Sequence, residues 1–157
     1  MNLIININEF NDNNIIFTEP VKNTVMDNSN FIRILYSNNL FTLSGIFIKI
    51  KLKLNNIEKY FNKFKCSFEV EKNKYIIENL DLIETKILEK ININGKTPRK
   101  KITEQLNGGS IKLFTDYMIN IIPTVFIIKI SGIWETEYEY GITYKFIDIS
   151  NHQSKKI

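Results

Sequence analysis

From Gly45 onward the chain reads IFIKIKLKL, and on an extended backbone a period of two sends Ile46, Ile48, Ile50, Leu52 and Leu54 to one face. Phe47, Lys49, Lys51 and Lys53 go to the other. Three amines beside a flat ring suit a single-stranded nucleic acid, because ammonium groups track phosphates while an aromatic face stacks on any base at about 1–3 kcal/mol. The solvated outer face of an amphipathic strand has the same pattern, so both readings stand at this point. A second cluster gathers Lys96, Arg99, Lys100, Lys101 and Lys112 around Gly108-Gly109, with Glu104 the only acid among them. Glycines let backbone N–H groups approach a phosphate, but neither G-x-x-x-x-G-K-[ST] nor G-x-G-x-x-G is present, and a P-loop or dinucleotide site is unsupported. The cluster reads as a basic flexible loop, either closing over a bound strand or simply solvated.

Other reactive residues are few. Glu135, Glu137 and Glu139 alternate and on an extended backbone would share a side, as Mg²⁺ or Mn²⁺ ligands of a nuclease do. A charged hairpin tip is the plainer account of them. Cys66 stands alone, so it forms no internal disulfide or multi-cysteine zinc site, and with no histidine nearby to activate it a buried structural thiol is expected. His152, the only histidine, lies in a polar tail, where a Ser-His-Asp triad or Cys-His dyad would have to be built from a frayed end. The chain therefore reads as non-enzymatic, with no metal and no cofactor.

The elements that must position these residues follow from composition and pattern. A chain of 157 residues is one domain's worth, enough to bury roughly two-thirds of its unfolded surface. The net charge of +4 argues less for a polyanion partner than it first suggests. Lys outnumbers Arg by 19 to 2, Ile reaches 30 and Asn 21, and there is no Ala, a skew that follows AT-rich codons. Only the placement of the lysines carries information. Nothing at the N-terminus resembles a signal peptide, and the longest apolar runs are broken by lysine and too short to span a bilayer, so a soluble intracellular protein is expected.

Residues 1–14 read as a short strand or arm. A hairpin is predicted from FIRILYS at 31–37, a tight turn at Asn38-Asn39 and a second arm over 40–54, with Ser44-Gly45 marking a bulge. The spacing of Ile57, Tyr60, Phe61 and Phe64 predicts a short helix before a strand KCSFEV. Residues 75–90 predict the principal helix, burying Ile76, Ile77, Leu80, Ile83, Ile87 and Leu88, with a helical turn or two after Pro98. Strands at 124–135 and 141–150 close the domain, Ile142, Tyr144 and Phe146 sharing one face, and Trp134 following Phe126, Ile128, Ile130 and Gly132 into the core. The expected fold is thus mostly β with one or two helices: an OB-fold-like, five-stranded, partly open barrel with its helix between the third and fourth strands. A small α+β sandwich is the alternative. The organisation is an arm at 1–14, one domain at 15–150 and a basic tail at 151–157.

The closing segment FIIKISGIWETEYEYGITYKFIDIS resembles the terminal hairpin of OB-fold single-stranded-DNA-binding proteins of phages and large nucleocytoplasmic DNA viruses, through Gly132, Trp134, Gly141, Tyr144 and Phe146. Residues 19–37, 43–48 and 129–135 together resemble a family of small giant-virus proteins, whose AT-rich coding would account for the composition. The resemblance implies single-stranded DNA as partner, with RNA left open, and a role in viral replication, recombination or repair beside replication or packaging proteins. It also implies the host cytoplasm or virion as location. Lys49, Lys51, Lys53 and Arg33 would track the backbone, Phe47 and Tyr144 would stack on bases, and Arg99, Lys100 and Lys101 would close over the strand. Arg33 carries a difficulty: a two-residue turn at Asn38-Asn39 pairs it with Ser44, opposite Phe47, unless the bulge shifts the register. The terminus NHQSKKI departs from the acidic, partner-recruiting tail of phage and bacterial single-strand binders. Exposed strand edges leave homo-oligomers open, and a scaffold subunit that binds protein through the same barrel is the alternative function.

Overall fold

Residues with a period of two dominate the chain and, in the computed structural model, which describes residues 3–114 and 124–149, they form strands. In order these are β1 (Ile5–Asn6), β2 (Ile15–Phe17), β3 (Val21–Lys22), β4 (Asn30–Ser37), β5 (Thr42–Ser44), β6 (Ile46–Lys51), β7 (Asn56–Tyr60) and β8 (Lys63–Ser67). Helix α1 (Lys74–Ile91), β9 (Thr97–Arg99), α2 (Lys101–Asn107), β10 (Ser110–Phe114), β11 (Val125–Glu135) and β12 (Glu139–Asp148) follow. The fold is mostly β with two helices, and α1 lies within one residue at each end of where the periodicity puts it. Twelve strands pair among the described residues where five were expected, in one open sheet ordered β1-β6-β11-β12-β10-β8-β7, with β4 along the rest of β11. The count grows because bulges cut long runs in two and short pieces pair along the margins.

Two bulges decide which side chains face where. Gly45 takes φ +101 and donates its N–H to Ile34 O at 2.9 Å, after which the chain leaves β4 and pairs with β11. A side chain there would be strained, and its Cβ would sit 3.0 Å from Ile130 O. In β11 the register steps from Ile130↔Tyr144 to Gly132↔Thr143, so Ser131 is the extra residue. Each bulge flips the alternation beyond it. Thus Ile130 and Ile133 both point to the core, although an unbroken strand would set them on opposite faces. Trp134, expected in the core with Ile130, goes instead to the other face and is half-buried there.

The core lies between one face of the sheet and the two helices. Ile32, Ile34, Ile46, Ile48, Ile50, Phe64, Cys66, Ile111, Leu113, Phe126, Ile128, Ile142 and Phe146 form one cluster with Ile77, Leu80, Ile83, Ile87 and Leu88 of α1 and Ile102 and Leu106 of α2. Each is worth about 1.5–3 kcal/mol of burial. At the start of α1, buried Asn73 accepts from Lys53 N at 2.8 Å and donates to Lys53 O at 3.1 Å and Glu69 O at 2.9 Å, tying the end of β6 to the helix. Asn92 ends α1 in the left-handed conformation.

Two expectations are corrected here. The segment 57–64 is a hairpin, β7 and β8 joined through Phe61-Asn62, and not a helix, because Phe64 and Cys66 take period-two places in the core as β8 pairs with β10. Asn38-Asn39 is not a two-residue turn: Ser37 pairs with Thr42 across a four-residue loop in which Asn38 Oδ1 accepts from Leu40 N and Phe41 N. Before β2, the short strand β1 runs parallel to β6, Phe10 stacks on Tyr36 at 6.4 Å and Asn11 N donates to Tyr36 Oη at 3.0 Å. The tail at 151–157, with His152, lies outside the described residues. Among those described, no helix is long and apolar enough to cross a membrane.

The tightest approach in the sheet is at Gly132, where a Cβ would sit 2.3 Å from Ile32 O and 2.6 Å from the Phe31 ring. Gly132→Ala must part β4 from β11. A loss of about 3 kcal/mol in urea unfolding is expected, and a loss under about 0.5 kcal/mol would mean that the strands do not approach this closely.

Candidate nucleic-acid interface

The sheet face opposite the apolar core is where the lysines collect, with α2 along its border. Lys129 pairs with Phe47 on one side and Lys145 on the other. Leu113↔Phe146 sets Lys112 beside Lys145, and Lys112 pairs in turn with Lys65. Phe47, Lys129, Lys145, Lys112 and Lys65 therefore form one transverse row over β6, β11, β12, β10 and β8. Four inter-strand steps of about 4.8 Å make it about 19 Å long. Five chain-distant segments each contribute one residue, and only the sheet brings them together.

Aromatic rings flank the row. Phe61 is 98% exposed at the tip of the β7–β8 hairpin, held at φ +51, and Tyr60 and Phe114 are 50% and 61% exposed. The Lys63 ammonium lies 5.2 Å from the centre of the Phe114 ring, and that of Lys129 lies 5.5 Å from Phe47. Two open clefts run along this end, one lined by Lys112, Phe114, Lys145 and α2, the other by Tyr60, Phe61, Lys63 and Lys65. Both include Ser110 and Lys112, so they adjoin along β10. Two acids border this end: Glu104 of α2 lines the first cleft, and Glu58 is the cross-strand partner of Lys65. Glu58 accepts from Tyr60 Oη at 2.7 Å, and that bond, with the charge of Glu58, pushes the Tyr60 phenol up.

Of the residues read from sequence, Phe47, Lys49 and Lys51 do share this face, and Lys53 continues the alternation just past the end of β6. Arg33 joins them. The Gly45 bulge resolves its register difficulty by turning Ser44 outward, where the Arg33 guanidinium donates to Ser44 Oγ at 2.9 Å and lies 5.6 Å from the Phe31 ring. None of Arg33, Lys49, Lys51, Lys53, Lys63, Lys65, Lys112, Lys129 and Lys145 has a carboxylate at ion-pair distance among the described residues.

The KTPRKK segment is different. It is a short strand running into a helix, not a loop, and its cations are spent: Lys96 on Glu135 at 2.9 Å, Arg99 on Glu139 at 2.9 Å, Lys100 on Asp81, and Lys101 near Glu104 at 3.9 Å. Glu135 is held below the ordinary carboxylate range, chiefly by the bond from Lys96, with burial opposing. Two of the three alternating glutamates thus have structural partners, as a charged hairpin end does. Tyr144 also departs from expectation. The period of two sets it with Ile142 and Phe146 on the helix side, edge-on to Phe146 at 5.7 Å, with its hydroxyl on the Gln105 side chain and 3.3 Å from Lys101 O. Burial first, then Glu84 and Glu104, push its phenol up to about 12. It does not offer a free ring. Burial likewise pushes the Cys66 thiol up to about 12, which keeps it unreactive at neutral pH.

Sequence reasoning missed Lys63, Lys65, Lys129, Lys145, Phe61 and Phe114 as site residues. The available signal was a lone lysine at an alternate position in otherwise apolar strands: KFKCS, IIKIS, TYKFI. No protein family, no curated protein and no solved structure matches the chain.

Proposed function

We propose that the protein binds single-stranded nucleic acid, DNA in the first place, along the lysine-bearing face of its sheet, without catalysis and without reading sequence. One observation carries this reading: the transverse row of lysines, unpaired with any described carboxylate and flanked by exposed rings. Phosphates need the amines, and rings open to solvent need unstacked bases, which a duplex hides. An OB-like identity for the curved sheet, a place among small giant-virus proteins, and a role beside replication or packaging proteins belong to the same proposal and rest on the resemblance described above.

Fluorescence anisotropy of a labelled oligo-dT over a salt series tests it. Affinity should fall steeply as salt rises. Binding weaker than about 100 μM at low salt, or indifferent to salt, would sink the reading and leave the protein-binding scaffold.

Phe61 offers a variant that separates binding from folding. Its φ of +51 costs an L-residue about 1 kcal/mol that glycine does not pay, so Phe61→Gly should leave stability unchanged or slightly raised. Oligo-dT affinity should nevertheless fall about tenfold through the lost stacking surface. Parent-like affinity would remove Phe61 from the interface.

A further inference from the structure

Beyond the lysine row, two rings lie flat on the same face. The Ser131 bulge turns Trp134 outward, directly between Phe31 of β4 and Gly141 of β12. A Cβ at 141 would sit 2.6 Å from Trp134 Cζ2 and 2.9 Å from its Nε1, so the indole covers the Gly141 backbone; the Phe31 ring covers Gly132 in the same way. Both rings are half-buried, and both line a cleft of about 660 Å³. Its far wall is the segment from Val21 to Met26, where Val25 is 95% exposed.

The cleft's charge says what it fits. Arg33, Lys22 and Lys101 line it, and no carboxylate does. Neither Arg33 nor Lys22 has an ion-pair partner among the described residues. Thr24 and Thr143 add hydroxyls. An apolar slot floored by flat rings and edged with cations fits a planar base that carries a phosphate, whereas an apolar peptide would leave the cations unanswered. The slot is continuous with the lysine row, since Arg33, Gly132 and Thr143 lie one side-chain repeat, about 7 Å, from Phe47, Lys129 and Lys145.

We infer that this cleft is a base-binding subsite: one nucleobase of a bound strand stacks on the Trp134–Phe31 floor under the 21–26 segment, with its phosphate toward Arg33. The inference rests on the single-strand reading.

Trp134 is the only tryptophan in the chain, so its emission reports this cleft alone. Titration with oligo-dT should quench Trp134 in step with the rise in anisotropy of a labelled strand. Phe31→Leu, which keeps an apolar cover over Gly132, should weaken binding about tenfold without a change in urea midpoint, and Arg33→Met should lower the salt slope by about 0.7. Tight, salt-dependent binding with Trp134 emission unmoved and Phe31→Leu binding like the parent would overturn the subsite and leave the strand reading intact. If neither emission nor anisotropy responds, the strand reading has failed and the subsite with it.

Discussion

Replacing Lys65, Lys112 and Lys145 together with alanine should weaken oligo-dT binding about a hundredfold at 0.1 M salt and lower the slope of log affinity against log salt by about two. Each amine that neutralises a phosphate of a single strand contributes about 0.7 to that slope, and three of them stand on adjacent strands at one end of the row. All three side chains are exposed, so stability should change by no more than about 0.5 kcal/mol each. The informative control is Arg99→Ala with Lys100→Ala. Those cations already face Glu139 and Asp81, and their loss should leave the slope where it was. The opposite pattern, with the control weakening binding and the row triple having no effect, would move the interface from the sheet to the start of α2.

Glu84→Ala should cost about 3–5 kcal/mol of stability, a large part of the 5–15 kcal/mol that holds a typical domain together. The N-terminus of helix α2 has no side-chain cap from its own N-cap residue, Lys100. Its orphan donors are satisfied from α1: fully buried Glu84 accepts from Ile102 N and Thr103 N, both at 2.9 Å, and from Thr103 Oγ1 at 2.7 Å. Truncation leaves those N–H groups buried and unpaired, at about 1–3 kcal/mol each, besides the lost packing. Glu84→Gln keeps an acceptor oxygen and should cost about half as much. Urea unfolding with an unchanged m value measures both. A second readout is local: the Tyr144 phenol, raised by Glu84 after burial, should titrate lower in Glu84→Gln while staying above its ordinary value. A loss below about 1 kcal/mol in Glu84→Ala would show that the carboxylate does not hold α2.

Glu84 also shows where sequence reasoning stops. Its position among the apolar residues of α1 places it on the edge of the buried face, but nothing near it in sequence predicts that a helix starting seventeen residues later will need two acceptors there. The 57–64 segment makes the same point for the backbone. Ile57, Tyr60, Phe61 and Phe64 fit a helical period, and Phe64, Cys66 and Phe68 fit a strand period equally well. Pairing with β10, more than forty residues away, settled the matter.

The sequence by itself determined what local chemistry can determine: a mostly β chain, one long amphipathic helix with nearly its observed ends, a glycine bulge at 45, and the shared face of Phe47, Lys49 and Lys51. These follow from side-chain period and backbone sterics within a few residues. Tertiary structure decided which charges remain available. The basic cluster at 96–101, conspicuous in sequence, is matched cation by cation with carboxylates from α1, α2 and the β11–β12 hairpin, while isolated lysines in separate strands line up unpaired across the sheet. Ion pairing and cross-strand register depend on distance in space, and a chain of alternating lysines and isoleucines does not state which strands will be neighbours.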